Sequence, residues 1–333
     1  GTGKSTLLAE LFSATPHLYV DLLDPAEFHS LNLDSGGLSR RIAALPAGTS
    51  WVVVDEVQKI PALLDVVHRE TNTGRVRFAL TGSSARKLKR GGADLLAGRA
   101  AVYNLYPLAA SEFGDAFSLD AALNWGTLPI LLRAETDLTR TKILQAYAHT
   151  YLREEIQQEQ IVRALDPFHR FLSVAAQTNG HIANFSAISR DCGVNERTVR
   201  TYFEILDDTL IGFMLPPFHE SVRKRQRANP KFYFFDGGVV RALSQTLSVP
   251  VTPGTYAYGR AFEAFVINEI YRLSRYRNLE WRLSYLRTKD DAEIDLIIDR
   301  PGAPRVLVEI KSTSWVVAAD VSPLAQFVPD RSE

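Results

Sequence analysis

The chain begins inside a sequence pattern that binds phosphate. Its first residues read Gly-Thr-Gly-Lys-Ser-Thr, the second half of G-x-x-x-x-G-K-[ST], so the leading glycine of the pattern is expected before residue 1. In such a loop the backbone N–H groups and the lysine bind phosphate oxygens, and the next hydroxyl ligates Mg²⁺. A helix that starts here points its positive end at the same anion. We therefore predict six nucleotide-binding residues, with Ser5 also a metal ligand: Gly1, Thr2, Gly3, Lys4, Ser5 and Thr6.

A second pattern places two carboxylates at the end of a buried strand. Four apolar residues, Trp51 to Val54, lead into Asp55 and Glu56. The carboxyl ends of parallel strands border the crevice where ligands bind, so both acids are expected beside the phosphate loop. There Asp55 would hold Mg²⁺ and Glu56 would activate the attacking water. Taken alone, the run also fits an ordinary strand and an acidic turn, but together with the Gly-Lys-Ser run it indicates a nucleotide hydrolase.

Strand and helix patterns alternate through the N-terminal part of the chain, which predicts a mostly parallel sheet. Strands are expected at 17–22, 51–55, 76–80 and 102–105, and helices at 5–12, 38–45 and 61–70. The first strand of this sheet is expected before residue 1.

Two polar features follow the 76–80 strand. A polar residue of the run Thr81-Gly82-Ser83-Ser84 is expected to sense the γ-phosphate or to position water, and the alternative is that the run caps a helix. Arg99 is our candidate for an arginine that stabilises transition-state charge, in cis or from a neighbouring subunit. The alternative for Arg99 is a pair with a surface carboxylate.

The charge balance and the cysteine count narrow the class of protein. The 333 residues carry 38 basic and 38 acidic side chains, so any nucleic-acid contact would depend on local basic patches. A single cysteine, Cys192, excludes a disulfide framework and a cysteine-based zinc cluster. No apolar run approaches the length of a membrane span. We therefore expect a cytoplasmic protein of two or three domains.

Five short motifs together resemble one group of ATPases. They are Gly-Lys-Ser-Thr at 3–6, Val-Asp-Glu-Val-Gln-Lys-Ile-Pro at 54–61, Leu-Thr-Gly-Ser-Ser at 80–84, Ala-Gly-Arg at 97–99 and Pro-Leu-Ala-Ala-Ser-Glu-Phe at 107–113. The set is similar to bacterial and archaeal AAA-type ATPases with a C-terminal domain of unknown function. This resemblance covers nearly the whole chain and implies ATP as the nucleotide. The chain departs from the family pattern at 125–129, where Trp-Gly-Thr-Leu-Pro stands in place of Gly-Gly-aromatic-Pro.

The middle of the chain carries a helix-turn-helix pattern followed by a wing strand. A short helix at 185–192, a turn at Gly193 and a second helix capped by Asn195 are expected. The family resemblance implies a winged helix in this region. In DNA complexes the N-terminal part of the second helix makes the contacts, so the candidate contacts are Arg197, Thr198 and Arg200.

One dense basic run follows the wing. It consists of Arg223, Lys224, Arg225 and Arg227, with Lys231 beyond it. Such a run can bind phosphates in a salt-dependent manner, although a solvated loop carries one nearly as often. Winged helices also bind proteins, so DNA and a protein are the alternative partners of this region.

A second acidic constellation lies near the C-terminus. Asp295 is expected within one strand, and the Glu309-Ile310-Lys311 run follows at the end of the next. Alternation along a strand puts Glu309 and Lys311 on one side. The pattern resembles the PD-(D/E)XK nuclease core, in which Asp295 and Glu309 would bind Mg²⁺ and Lys311 would orient or deprotonate a water. Glu263, on a predicted helix, would complete the site.

These patterns predict an α/β chain with three parts. Residues 1–113 would form a P-loop ATPase domain, 114–220 a helical and winged-helix region, and 221–333 a nuclease-like domain that is cut short at its C-terminal end. The predicted function is Mg²⁺-dependent ATP hydrolysis coupled to a DNA-related module, in a chain that can form homo-oligomers. The alternatives are a DNA-binding switch whose nuclease-like domain is catalytically silent and a nucleotide-dependent scaffold for a protein partner.

Overall fold

The computed structural model of the chain describes residues 2–82, 100–151, 165–219, 229–288 and 292–318, together with Asp320 and Leu324. The chain divides into two compact units, Gly1–Leu105 and Tyr106–Glu333. Each unit is mixed in secondary structure, and each is described by itself.

The N-terminal unit is built on a parallel sheet of three strands in the order β1-β2-β3. The strands are β1 (His17–Asp21), β2 (Trp51–Asp55) and β3 (Arg77–Leu80). The apolar run of β2 forms the central strand and is almost entirely buried, as expected for a strand covered on both faces. In the register Asp21 lies beside Asp55, so the carboxyl ends of β1 and β2 are level.

Within the described residues, the helices that accompany this sheet are α1 (Lys4–Leu11), α2 (Pro25–Leu33), α3 (Gly37–Ala43) and α4 (Leu63–Thr73). Leu31, Leu38, Ile42 and Leu63 from the last three pack with the strands into one core. The sequence patterns had predicted all of these elements except α2. That helix begins with Asp24 as its N-cap and Pro25 in its first turn, a start signal that its weak apolar periodicity obscured.

The strand predicted at 102–105 is wrong. Residues 100–105 form no strand in the described structure, and Val102 and Tyr103 are each 80% exposed. A short apolar run becomes a strand only when another strand pairs with it, and within the described residues no strand pairs with this run.

The C-terminal unit opens with helices. They are α5 (Ala110–Phe113), α6 (Leu119–Trp125), α7 (Asp137–Ala146), α8 (Leu165–Gln177), α9 (Phe185–Cys192) and α10 (Glu196–Asp208). The last two agree with the helix-turn-helix prediction. Gly193 joins them in the left-handed region, at φ 67°, and Asn195 caps α10 by accepting the Thr198 N–H at 2.8 Å.

A two-stranded antiparallel ribbon follows, β4 (Gly212–Leu215) paired with β5 (Lys231–Phe234). Its two faces contribute to different cores because side chains alternate along a strand. Phe232 and Phe234 pack among the helices α8 to α10, whereas Tyr233 packs against the C-terminal sheet. The ribbon therefore ties the helical part of this unit to the sheet.

The unit continues with α11 (Gly237–Leu243) and the long α12 (Tyr256–Tyr276). A three-stranded antiparallel sheet follows, formed by β6 (Arg282–Arg287), β7 (Glu293–Asp299) and β8 (Val306–Val308). Asp236 caps α11 by accepting the Val239 N–H at 3.0 Å. In the described residues, no helix is both long and apolar enough to span a membrane.

The turn that departs from the family pattern is buried inside this unit. Gly126 adopts φ 78°, and a side chain there would collide with the Asp236 carboxylate. Gly238 sits against the Trp125 carbonyl in the same way. Two glycines thus allow the 125–127 turn to lie directly on the start of α11.

Candidate functional site

The N-terminus of α1 is arranged as an anion site. Gly3 precedes the helix at φ 90°, and Lys4 is its first residue. Among the described residues, no side chain caps this helix end and no acidic residue lies in its first turn. The free N–H groups and the helix dipole are therefore left for a negatively charged ligand. Gly1 lies outside the described residues.

Lys4 reaches across to the carboxyl end of the sheet. Its Nζ donates to the Gly82 carbonyl oxygen at 3.0 Å, and Gly82 follows β3 by two residues. The lysine of the loop therefore stands where the strands end. A backbone carbonyl is a neutral acceptor, so a phosphate oxygen would be a stronger partner for the ammonium.

Asp55 ends β2 as a buried carboxylate with several donors around it. Thr81 Oγ1 donates to Oδ1, and the Tyr19 hydroxyl donates to Oδ2 at 2.9 Å. Burial by itself would raise the pKa of Asp55, but hydrogen bonds from Thr81, Ser5 and Tyr19 and the charge of Lys4 hold this pKa below its usual value. Asp55 is therefore an ionised group beside Ser5, as a Mg²⁺ ligand must be.

Glu56 is held in an uncommon backbone conformation at the end of β2. It lies in the left-handed region, at φ 60° and ψ 42°, which is costly for a residue with a side chain. Its N–H donates to Thr81 Oγ1 at 3.0 Å, and its Oε2 accepts from the buried Gln58 amide. Strained residues of this kind concentrate at active sites, where surrounding contacts fix them.

Two residues that the sequence did not single out, Tyr19 and Gln58, belong to this site together with Thr81 of the polar run after the 76–80 strand. Thr81 and Gln58 lie inside motifs that were recognised, but nothing in those motifs shows which atoms they contact. Tyr19 pairs with Val53, two register positions from Asp55 on the neighbouring strand, so only the pairing of β1 with β2 brings its hydroxyl to that carboxylate. Burial, followed by the contacts with Asp55, raises the pKa of Tyr19, so it acts as a donor.

Several predicted site residues lie outside the described part of the chain. They are Arg99 and the basic run Arg223, Lys224, Arg225 and Arg227. Lys231, which the sequence groups with that run, is buried on β5 and is therefore unable to follow a phosphate backbone.

The helix-turn-helix side chains are only partly arranged for DNA. Arg197 is exposed on α10, but Thr198 Oγ1 is bound to the Asn195 side chain at 3.0 Å. The Arg200 guanidinium lies 3.9 Å from the centroid of the Phe185 ring. Six charged residues are exposed along the helix, and four of them are acidic: Glu196, Arg197, Arg200, Glu204, Asp207 and Asp208. This acidic excess works against contact with phosphates.

The second constellation comes together in part at the β7–β8 pair. Asp295 Oδ2 accepts the Ile310 N–H at 2.7 Å, and Lys311 Nζ donates to Glu309 Oε1 at 2.6 Å. Glu309 and Lys311 follow the end of β8 and do not lie within it, yet their side chains do share one side. The hydrogen bond to Glu309 raises the pKa of Lys311, which makes this lysine a poor base.

Glu263 is occupied by other partners. Its Oε1 accepts from the Tyr233 hydroxyl and its Oε2 from Arg260, both at 2.9 Å, and Lys231 Nζ lies 3.6 Å from Oε1.

Burial, together with the Glu263 and Glu309 charges, raises the pKa of Asp295 to about 6. Glu309 Oε2 is buried and has no hydrogen-bond partner.

This second constellation does not fit a metal centre of three carboxylates. In the part of the chain that the structure describes, no three His, Cys, Asp or Glu side chains are grouped so that they could hold a metal ion. Glu263 points its oxygens at an arginine, a tyrosine and a lysine, which leaves Asp295 and Glu309 as the two remaining carboxylates.

Family models match three successive parts of the chain. Residues 1–114 match the AAA domain, 116–249 a domain of unknown function (DUF8612), and 258–332 a second domain of unknown function (DUF4143). The AAA match covers the phosphate loop, Asp55 and Glu56 and supports nucleotide binding by this part of the chain. A mixed α/β unit with a parallel sheet is consistent with a P-loop fold.

The chain is also similar to uncharacterized proteins of several bacteria. One from Mycobacterium tuberculosis and one from Mycobacterium bovis are each 27% identical over 317 residues, which is 94% of this chain and 68% of theirs. A protein of Haemophilus influenzae is 21% identical over 207 residues, 57% of this chain and 52% of its own length. No solved structure matches the chain.

Proposed function

We propose that the N-terminal unit binds ATP with Mg²⁺ and hydrolyses it. One observation carries the proposal: Lys4 reaches the carboxyl end of the sheet, where Asp55 is held ionised beside Ser5 and Glu56 is fixed by Thr81. Elements far apart in sequence thus supply a phosphate ligand, a metal ligand and a base at one edge. The AAA match of residues 1–114 supports the same function.

Each residue has a distinct task in this proposal. Lys4 and the N–H groups at the start of α1 bind the phosphates, with Gly1, Thr2, Gly3 and Thr6 completing the loop. Ser5 and Asp55 hold Mg²⁺, which supplies positive charge to the phosphate oxygens. Glu56 accepts a proton from the attacking water. Arg99 remains the candidate for a further positive charge, from this chain or from another copy in a homo-oligomer.

Nucleotide turnover would control what the C-terminal unit binds. DNA is the partner to test first, because a helix-turn-helix geometry with Arg197 exposed on its second helix is followed by the 223–227 basic run in sequence. The acidic excess on α10 favours the second candidate, a protein partner, with the chain acting as a nucleotide-dependent scaffold.

ATP hydrolysis by the protein, with and without duplex DNA, tests both proposals. Glu56→Gln removes the base without changing the shape, so turnover should fall about 100-fold or more while nucleotide still binds. Lys4→Ala should lose nucleotide binding itself. Equal turnover in the wild type and Glu56→Gln would refute the assignment of the base. Turnover stimulated by DNA supports DNA as the partner, whereas absence of both stimulation and salt-sensitive binding favours the scaffold.

A further inference from the structure

The acidic constellation of the C-terminal unit contains a buried lysine. Lys231 lies on β5 with its side chain only 3% exposed, and its Nζ is 2.5 Å from Glu293 Oε1 and 3.6 Å from Glu263 Oε1. The ammonium also lies 5.2 Å from the centroid of the Tyr285 ring. A charge buried to this extent is stable only when opposite charges and hydrogen bonds compensate it.

Lys231 points toward this cluster because side chains alternate between the two faces of the ribbon. Lys231 and Tyr233 are two residues apart on β5, and both reach Glu263 on α12. Glu293, the first residue of β7, approaches the ammonium from the sheet. The ammonium group of Lys231, on the ribbon, therefore lies between a carboxylate of the helix α12 and a carboxylate of the sheet. A bound cation would occupy the same position between these two carboxylates.

The charges around this point are close to balance. Three cationic groups, Lys231, Arg260 and Lys311, each lie within salt-bridge distance of a carboxylate. They face four carboxylates among the described residues: Glu263, Glu293, Asp295 and Glu309. Arg287, opposite Glu293 in the β6–β7 register, adds a fourth positive charge, so little net negative charge remains to retain a divalent cation without a further ligand.

We propose that Lys231 is the resident cation of this cluster: its ammonium takes the place of a divalent metal beside Glu263 and Glu293, and the unit holds no Mg²⁺ of its own. Metal-dependent phosphodiester cleavage by this cluster is then absent. The residues of the nuclease-like pattern instead form a cluster of internal ion pairs that holds three elements together. This inference is independent of the nucleotide site, which lies in the other unit.

Mn²⁺, followed by its electron paramagnetic resonance signal, is the probe for a metal in this cluster. All proteins carry Asp55→Asn, so that Mn²⁺ at the nucleotide site is not counted. We expect Mn²⁺ binding to be the same with and without the further substitution Asp295→Asn. A bound Mn²⁺ that is lost in Asp295→Asn or Glu309→Gln would overturn the proposal, and this measurement requires no change at Lys231.

A substitution of Lys231 provides a second test of the proposal. Lys231→Met keeps the apolar stem and removes the ammonium, so the melting temperature should fall by several degrees and Mn²⁺ should restore part of the loss. Lys311→Met is the matched control, because it removes a more exposed lysine of the same cluster and should change the melting temperature little. A Lys231→Met protein as stable as the wild type, with no response to Mn²⁺, would also contradict the proposal.

Discussion

At the scale of single residues, Thr81 links the two acidic residues of the candidate nucleotide site. One hydroxyl donates to Asp55 Oδ1 and accepts the Glu56 N–H. The backbone of Thr81 pairs with the same strand end, since its N–H donates to the Val54 carbonyl at 3.0 Å and its carbonyl accepts the Val57 N–H at 2.9 Å. Thr81 therefore fixes where β2 ends and how Glu56 is presented.

Thr81→Val removes this hydroxyl while the side chain keeps its shape. It leaves the Glu56 N–H unpaired and takes a donor from Asp55, a loss of about 1–3 kcal/mol for a buried group. If the same free energy is lost from the transition state, ATP turnover falls roughly 10- to 100-fold. Nucleotide binding through Lys4 should persist. Steady-state hydrolysis measures the effect, with Thr81→Ser as the control that keeps the hydroxyl. Unchanged turnover in Thr81→Val would show that the link has no role in turnover.

At the scale of elements, a polar residue caps the start of several helices. Asp24, Asn184, Asn195, Asp236 and Thr255 all accept hydrogen bonds from the first turn of the helix they precede. These are local contacts; the sequence predicted the cap at Asn195 but missed the helix that Asp24 begins. The cap of α10 lies two residues before Arg197, the exposed arginine of this helix.

Asn195→Ala should destabilise the C-terminal unit by about 1 kcal/mol, because the N–H of Thr198 and its hydroxyl both lose their acceptor. Urea denaturation measures this change. Asn195→Asp keeps an acceptor and adds a favourable charge at the helix N-terminus, so its stability should stay near that of the wild type. If Asn195→Ala and Asn195→Asp lose equal stability, the cap is not the cause.

At the scale of the whole molecule, a buried polar network holds the C-terminal unit together. Asp236 accepts the Thr127 N–H at 2.7 Å, and Arg272 donates to Thr127 Oγ1 and to the Leu108 carbonyl, both at 3.0 Å. Arg272 also donates to the Phe235 carbonyl. Burial raises the pKa of Asp236 and lowers that of Arg272. The charge of Arg272 partly offsets the first shift, and the charges of Asp236 and of Glu269, whose Oε1 lies 3.3 Å from Arg272 Nη1, partly offset the second.

Removing either charge should therefore destabilise this unit strongly. Asp236→Asn and Arg272→Met should each cost roughly 3–5 kcal/mol, since each removes a buried charge from the network and leaves an opposite buried charge less compensated. The double variant should lose less than the sum of the two. Chemical denaturation of the three variants gives the coupling. Asp137→Asn, at the exposed pair with Arg140, is the control and should cost about 1 kcal/mol or less. Additive losses would mean that the two charges act separately.

The sequence by itself determined the local features of this protein. Lys4 and Ser5 follow glycine at a helix start, Asp55 and Glu56 end an apolar run, and Asn195 precedes an amphipathic helix. Such features are read from neighbouring residues, because the interactions that create them span only a few positions.

Only the tertiary structure decided which distant groups meet. Strand pairing brings Tyr19 and Thr81 to Asp55, and the ribbon carries Lys231 from an apparent surface run into the cluster around Glu263. The 102–105 run is the opposite case, an apolar segment that stays exposed. Burial and compensation of charge depend on what the rest of the chain places nearby, and no local pattern contains that information.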